Sequence, residues 1–333
     1  MTATFPGKRP ERAHPPHGTA HAASPEGETS TPGLRAFAAS VIARETLRDV
    51  ARLMHEARIP LMPLKGVLFQ LMLYADPAER SLCDVDVLVP ERHFVRAIDI
   101  LMQHGFRPFS AGPSWIEASF DAPRGLPLDL HRRVFCPLRY RMPTDDIFFR
   151  ATVNRELLGV PLWIQNPLDT LAHLVGKFVS DHVHSGAAPR LAELEKLVDH
   201  HFITAAPAVR HLLRAGLGRA ALHVFSRGAA ERSHPFHAAA LAALPKGIVS
   251  SAVVDLAGQL SARLEEGRLA PLSAHLLNTS LLRGATSLAL AVTYAAKYAR
   301  LSRAQGASGG YWAPFFSASS SPARRRASAA RSP

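Results

Sequence analysis

Cysteine is almost missing from the 333 residues: only Cys83 and Cys136 occur, and they form no C-x-x-C pair. Two thiols build neither a disulfide framework nor a four-thiolate zinc site, and a reducing, cytoplasmic compartment is the simpler expectation. Long apolar runs are missing too. The most apolar late stretch, Leu288 to Ala296, is about half of the ~20 residues a membrane span needs. Lys8, Arg9 and Arg12 are followed by His, Pro, Gly and Ser rather than an apolar run, so no secretory signal is expected. No repeat of solenoid period is present. Gly216-Leu217-Gly218 lies in a helical setting with no strand before it, which excludes a phosphate-binding glycine loop there.

Hydrophobic residues at 47% and charged residues at 20% place the chain among globular proteins rather than disordered ones. Lys and Arg number 39 against 27 acids, a net charge of +12. Residues 301–333 hold five arginines and no acid, and the first 32 residues are neutral. The excess left for the body is spread rather than clustered. It suits an anionic substrate, and nucleic acid is not favoured as a partner.

Residues 1–32 and 303–333 are rich in small and polar residues without periodicity and read as a disordered leader and a disordered basic tail. Between them the pattern changes once. Leu34, Phe37, Val41, Leu47, Val50, Met54 and Ala57 carry helical spacing. Ile59 to Leu64 reads as an edge strand broken by Pro60 and Pro63. Lys65-Gly66 reads as a turn, Val67 to Tyr74 as a helix, and Leu82 to Val89 as a strand. A helix runs from Pro90 to Gly105. Trp115 to Phe120 and Leu126 to Val134 read as strands joined by a Pro-Arg-Gly turn, and Leu157 to Ile164 as a small hairpin at Gly159. From Pro167 onward the spacing is helical throughout. The body is thus α+β over 33–165 and all-helical over 166–302.

The chemistry concentrates in Leu82-Cys83-Asp84-Val85-Asp86-Val87-Leu88-Val89. On a strand, alternate side chains share a face, so Asp84 and Asp86 point together, their Cα atoms roughly 6–7 Å apart at ~3.3 Å per residue. Two carboxylates at this spacing repel. A solvated edge strand tolerates them, and a divalent cation removes the repulsion, with hard oxygen ligands suiting Mg²⁺. Both readings stand for a bare D-x-D. Leu126-Pro127-Leu128-Asp129-Leu130-His131 sets a third acid opposite two leucines, and three carboxylates on neighbouring strands suit two metal ions. Lys65-Gly66, at a strand-to-helix turn, lets a phosphate approach the backbone at a helix N-terminus. Arg80 adds a second cation.

LKGV at 64–67, Tyr74, Arg80, DVDVLV at 84–89 and LDLH at 128–131 together resemble the uncharacterised bacterial nucleotidyltransferase-like family of the DNA polymerase β nucleotidyltransferase superfamily. The likeness covers about 34–200, where Asp169, Leu171, Leu174, His182, His184, Arg190 and Glu193 also look like the family's downstream helices. Gly66-Val67 stands where the wider superfamily has Gly-Ser or Gly-Gly, so a serine hydroxyl is missing from the implied triphosphate contacts. The resemblance implies a polymerase-β-like domain, a small mixed sheet with helices, followed by an all-helical region. It implies that Asp84, Asp86 and Asp129 hold two Mg²⁺ ions, with Mn²⁺ as the alternative. Asp129 would also take the proton from the attacking hydroxyl. Lys65, Gly66 and Arg80 would face the triphosphate of a nucleotide. Read from the residues alone, His131 follows Asp129 by two and shares its face, where it either lines the nucleotide site or is a satisfied structural histidine. The implied reaction moves a nucleoside monophosphate to an acceptor hydroxyl of a small molecule, glycan or peptide, releasing pyrophosphate. An inactive relative that only binds a nucleotide or a partner is the alternative. His173, His182 and His184 lack a fixed ligand set, and Lys177 and Arg190 sit by default on a charged helix face, with reach toward a substrate from the helical region as the alternative.

Overall fold

The computed structural model describes residues 32–110, 116–136, 139–180 and 187–247, together with 251, 252, 254, 255 and 289. The expected leader, the basic tail and the His182/His184 pair lie outside the described residues.

Helix α1 (Pro32–Glu56) follows the apolar spacing and buries Ala43, Leu47, Val50 and Met54. Its stripe departs from expectation at the start, where Leu34, Phe37 and Val41 are exposed. Strand β1 (Met62–Pro63) is short and leads through Leu64 directly into α2 (Lys65–Leu73). The expected Lys65-Gly66 turn is therefore the first turn of the helix itself. Strand β2 (Val85–Leu88) is shorter than the predicted 82–89, and Asp84 sits immediately before it. Helix α3 (Phe94–Gln103) buries Phe94, Ala97, Ile98 and Leu101 on one face, and Gly105 leaves its end at φ +86. Strands β3 (Arg107–Ser110), β4 (Glu117–Asp121) and β5 (Pro127–His131) follow.

These strands form one sheet in the order β1-β2-β5-β4-β3. The central pair, β2 and β5, is parallel and every other pairing is antiparallel. Helix α4 (Thr144–Arg150) and strands β6 (Thr152–Asn154) and β7 (Leu162–Ile164) come next. The hairpin thus starts at Thr152, ahead of the predicted Leu157, and residues 155–161 form its loop. Five helices follow: α5 (Pro167–Ser180), α6 (Ala187–His200), α7 (Ala205–Arg214), α8 (Gly218–Glu231) and α9 (Pro235–Ala243). None of the described helices is long and apolar enough to cross a membrane.

Two apolar clusters hold the fold. One joins α1, α3 and the sheet through Leu47, Phe94, Val85, Val87, Phe120 and Leu128. The other packs the later helices against Met62, Leu64, Phe69 and Leu88, so the helical half shares a core with the sheet. The tightest approach is at Gly176 on α5, where an added Cβ would sit 2.2 Å from the Phe135 ring. Gly176→Ala gains up to ~1 kcal/mol of helix propensity. Forcing a buried ring aside costs about 1–3 kcal/mol. Thermal unfolding should therefore show a lower melting temperature for Gly176→Ala, and an unchanged one would contradict this packing.

Candidate active site

The parallel pairing of β2 and β5 sets Asp86 directly beside Asp129, with Val85 beside Leu128 and Val87 beside Leu130. The valines and leucines enter the core, so the two acids share the opposite face. Asp84 joins them, and each of the three carboxylates offers an oxygen within 4.8 Å of the others. Among the described residues this is the one cluster with metal-ligand spacing.

Asp86 is 5% exposed. Lys65 Nζ lies 3.4 Å from its Oδ2, and His131 Nε2 lies 2.9 Å from its Oδ1. Burial raises the Asp86 carboxyl, but the Lys65 charge and the His131 hydrogen bond outweigh it and hold the group far below the usual carboxylate range. Asp84 goes the other way. Burial raises it, and the charges of Asp86 and Asp129 add to that against the opposing pull of Lys65 and Arg80. One acid is thus firmly ionised, and its neighbour carries burial and like-charge repulsion that Lys65 and Arg80 only partly relieve. The donor chemistry, three hard oxygens with surplus negative charge, fits a hard divalent cation.

The sequence placed His131 on the Asp129 face, either lining the site or as a satisfied structural histidine. It is 7% exposed and opposite Leu88, with Nδ1 3.1 Å from Glu117 Oε2 and Nε2 on Asp86. Burial lowers the imidazole, but Asp86 and Glu117 prevail and raise it. His131 therefore backs Asp86 and fixes its orientation.

Lys65 opens α2, where a cation opposes the helix dipole, and Asp86 offsets that cost. Leu64 supplies no side-chain cap to the first-turn amides. Gly66 is buried beneath Arg80: an added Cβ would lie 3.6 Å from Arg80 Nη1 and 3.7 Å from Leu82. Those are ordinary contacts. Gly66→Ala should melt at the wild-type temperature or slightly above, since Ala favours a helix by up to ~1 kcal/mol. A fall of several degrees in thermal unfolding would show the glycine to be structural.

Gln70, which had no sequence signal, and Glu193, singled out only through the family resemblance, hold Arg80 in place. Buried Gln70 donates to the carbonyls of Pro77 and Arg80 at 2.9 and 2.8 Å and accepts from Ser40 Oγ at 2.7 Å. Glu193 on α6 takes the Arg80 guanidinium in a largely buried ion pair across 113 residues of sequence. Lys65, Arg80, Tyr74, Lys177, Arg190 and Glu193 line a cleft of about 440 Å³ between α2 and the helices α5 and α6. Lys177 and Arg190 thus face the same cleft as Lys65, the alternative to a charged helix face that the sequence left open for them. His173, one turn before Lys177, is buried, and burial with the charges of Lys65, Lys177 and His131 holds it well below its ordinary range. It is neutral and packs edge-on against Phe135.

This small mixed sheet, its three converging carboxylates and the lysine-glycine helix start are the features the nucleotidyltransferase resemblance implies. The chain belongs to the family described as uncharacterised nucleotidyltransferase, whose model matches residues 34–220. A nucleotidyltransferase-like protein from Paracoccidioides brasiliensis is similar at 13% identity and a TM-score of 0.38, over 64% of this chain and 97% of that one. The antibiotic-resistance factor ANT(2'')-Ia is similar at 14% identity and 0.36, over 57% of this chain and 95% of that one. A tRNA-processing enzyme reaches 16% identity and 0.25, over 76% of each chain. No curated protein matches the sequence.

Proposed function

We propose that the protein is a metal-dependent nucleotidyltransferase that moves a nucleoside monophosphate from a nucleoside triphosphate to an acceptor hydroxyl on a small molecule, glycan or peptide. The observation that carries this is the in-register pairing of Asp86 with Asp129 and the convergence of Asp84 on them. Asp84, Asp86 and Asp129 would hold Mg²⁺, which when bound supplies charge neutralisation for the entering and leaving oxygens. Lys65, the Gly66 amide and Arg80 bind the triphosphate, with Glu193 and Gln70 orienting Arg80. Asp129 accepts the proton of the acceptor hydroxyl as its oxygen bonds to the α-phosphorus. The bond from that phosphorus to the bridging oxygen breaks, and pyrophosphate leaves. His131 keeps Asp86 in register for this work. The free thiols, Cys83 and Cys136, suit a cytoplasmic setting.

A binding-only relative is the competing reading, and the Lys65–Asp86 pair favours it by supplying a cation from within the chain. Thermal unfolding with each nucleoside triphosphate separates the two. Ligand bound to the folded state alone raises the melting temperature. A transferase predicts a rise that needs Mg²⁺ and disappears in chelator, whereas an equal rise in chelator favours the binder. In Gly66→Ala the nucleotide response should shrink, because the new Cβ faces Arg80 where the triphosphate is placed.

A further inference from the structure

A second cleft, of about 480 Å³, opens where the end of α4 meets the start of α5 and the end of α7. That volume falls within the range of small-molecule sites, about 300–1,000 Å³. Along α5, Asp169 on this cleft and Lys177 on the other are eight residues apart, about 12 Å at ~1.5 Å per residue. The proposed transfer chemistry uses none of its lining residues.

Its floor is a fully buried carboxylate. Asp169 is 0% exposed and accepts from Arg150 Nε at 2.8 Å, Arg150 Nη2 at 2.9 Å and His211 Nε2 at 2.9 Å. The fork locks the Arg150 guanidinium by one edge and leaves its remaining N–H groups for the cleft. Arg141 and Arg214 stand at the rim, both exposed, and among the described residues neither side chain makes an ion pair or hydrogen bond. Asp146 is the only acid besides Asp169 on the lining. The opposite wall is apolar: Met142, Pro143 and Ala215.

We propose that this cleft binds a small organic phosphate monoester, its phosphate held by Arg141, Arg150 and Arg214 and its organic part against Met142, Pro143 and Ala215. Three guanidinium groups, one held rigid by a buried acid, offer more donors than a single carboxylate can use, and they match a dianion with three terminal oxygens. The apolar wall favours an organic body over the bare ion.

Calorimetric titration of the full chain with phenyl phosphate, inorganic phosphate and benzoate tests this. Phenyl phosphate should bind saturably and more tightly than either of the others. Arg141→Ala/Arg214→Ala removes the two rim cations without stranding Asp169 and should weaken phenyl phosphate at least about tenfold. Lys177→Gln/Arg190→Gln, in the other cleft, should leave it unchanged. Far-UV circular dichroism identical to wild type establishes that both double variants are folded. No saturable binding, or binding that survives the rim variant, overturns the proposal, as does loss in Lys177→Gln/Arg190→Gln alone. Equal affinity for inorganic and phenyl phosphate overturns the organic ligand, and benzoate binding as tightly overturns the phosphate.

Discussion

Asp84→Asn and Asp86→Asn should both lose nucleotidyl transfer by orders of magnitude, yet move stability in opposite directions. Each removes a carboxylate from a set of three whose oxygens lie within 4.8 Å, and the proposed metal site would lose one of its ligands. Stability divides them. From sequence alone, neutralising Asp86 relieves like-charge repulsion and leaves the metal-free protein as stable as wild type or more so. The structure corrects that, because Asp86 is the buried partner of Lys65 at 3.4 Å and of His131 at 2.9 Å. Its amide would leave both donors facing a neutral group, at a cost of about 1–3 kcal/mol. Asp84 carries the repulsion instead, from burial and from Asp86 and Asp129. Asp84→Asn should melt at or slightly above the wild-type temperature without metal. Thermal unfolding in chelator decides this, and destabilisation of both variants alike would contradict the charge distribution.

Asp169→Ala should be strongly destabilising. It removes the only fully buried acid of the Arg150–Asp169–His211 group and leaves His211 without its carboxylate. Breaking such a group costs roughly 3 kcal/mol, the lower end of the buried range, because the Arg150 side chain is 37% exposed and can rehydrate. For a chain of this size that is on the order of 4 °C in melting temperature. Burial raises the Asp169 carboxyl, but the hydrogen bonds from His211 and Arg150 outweigh it, and the folded group lies below the usual carboxylate range. An unfolded carboxylate takes up its proton first as pH falls, near 3.9. The stabilisation is therefore whole above about pH 5 and is lost as pH drops toward the folded value. The stability gap between wild type and Asp169→Ala should narrow as pH falls through the unfolded carboxylate's value of about 3.9 toward the folded one. A constant gap across that range would contradict the role given to the ionised carboxylate.

Periodicity made α1, α5 and α6 legible, because each keeps apolar residues at helical spacing over three turns or more. It missed β3, which starts Arg107-Pro108, and β6, three residues held only by pairing with β7. It missed α4 as well, seven residues whose polar first turn resembles a loop. The three acids were visible as a group because a core strand has no structural use for carboxylates. Their convergence depends on β2 and β5 pairing in parallel, a long-range fact that no local pattern contains. The same distance hid the partners of Arg80: Glu193 lies 113 residues away, and Gln70 is one amide inside an apolar helix. The second cleft was hidden for the same reason, since Arg141, Asp169 and Arg214 meet only when α4, α5 and α7 pack.

The most direct measurement follows the label from a nucleoside triphosphate carrying ³²P at either the α- or the γ-position, incubated with the protein, Mg²⁺ and native cell extract. Nucleotidyl transfer predicts that α-label moves to an acceptor while γ-label leaves as pyrophosphate, with both events abolished in Asp86→Asn. Movement of γ-label to an acceptor, or no movement of either label while the triphosphate still raises the melting temperature in chelator, would contradict it.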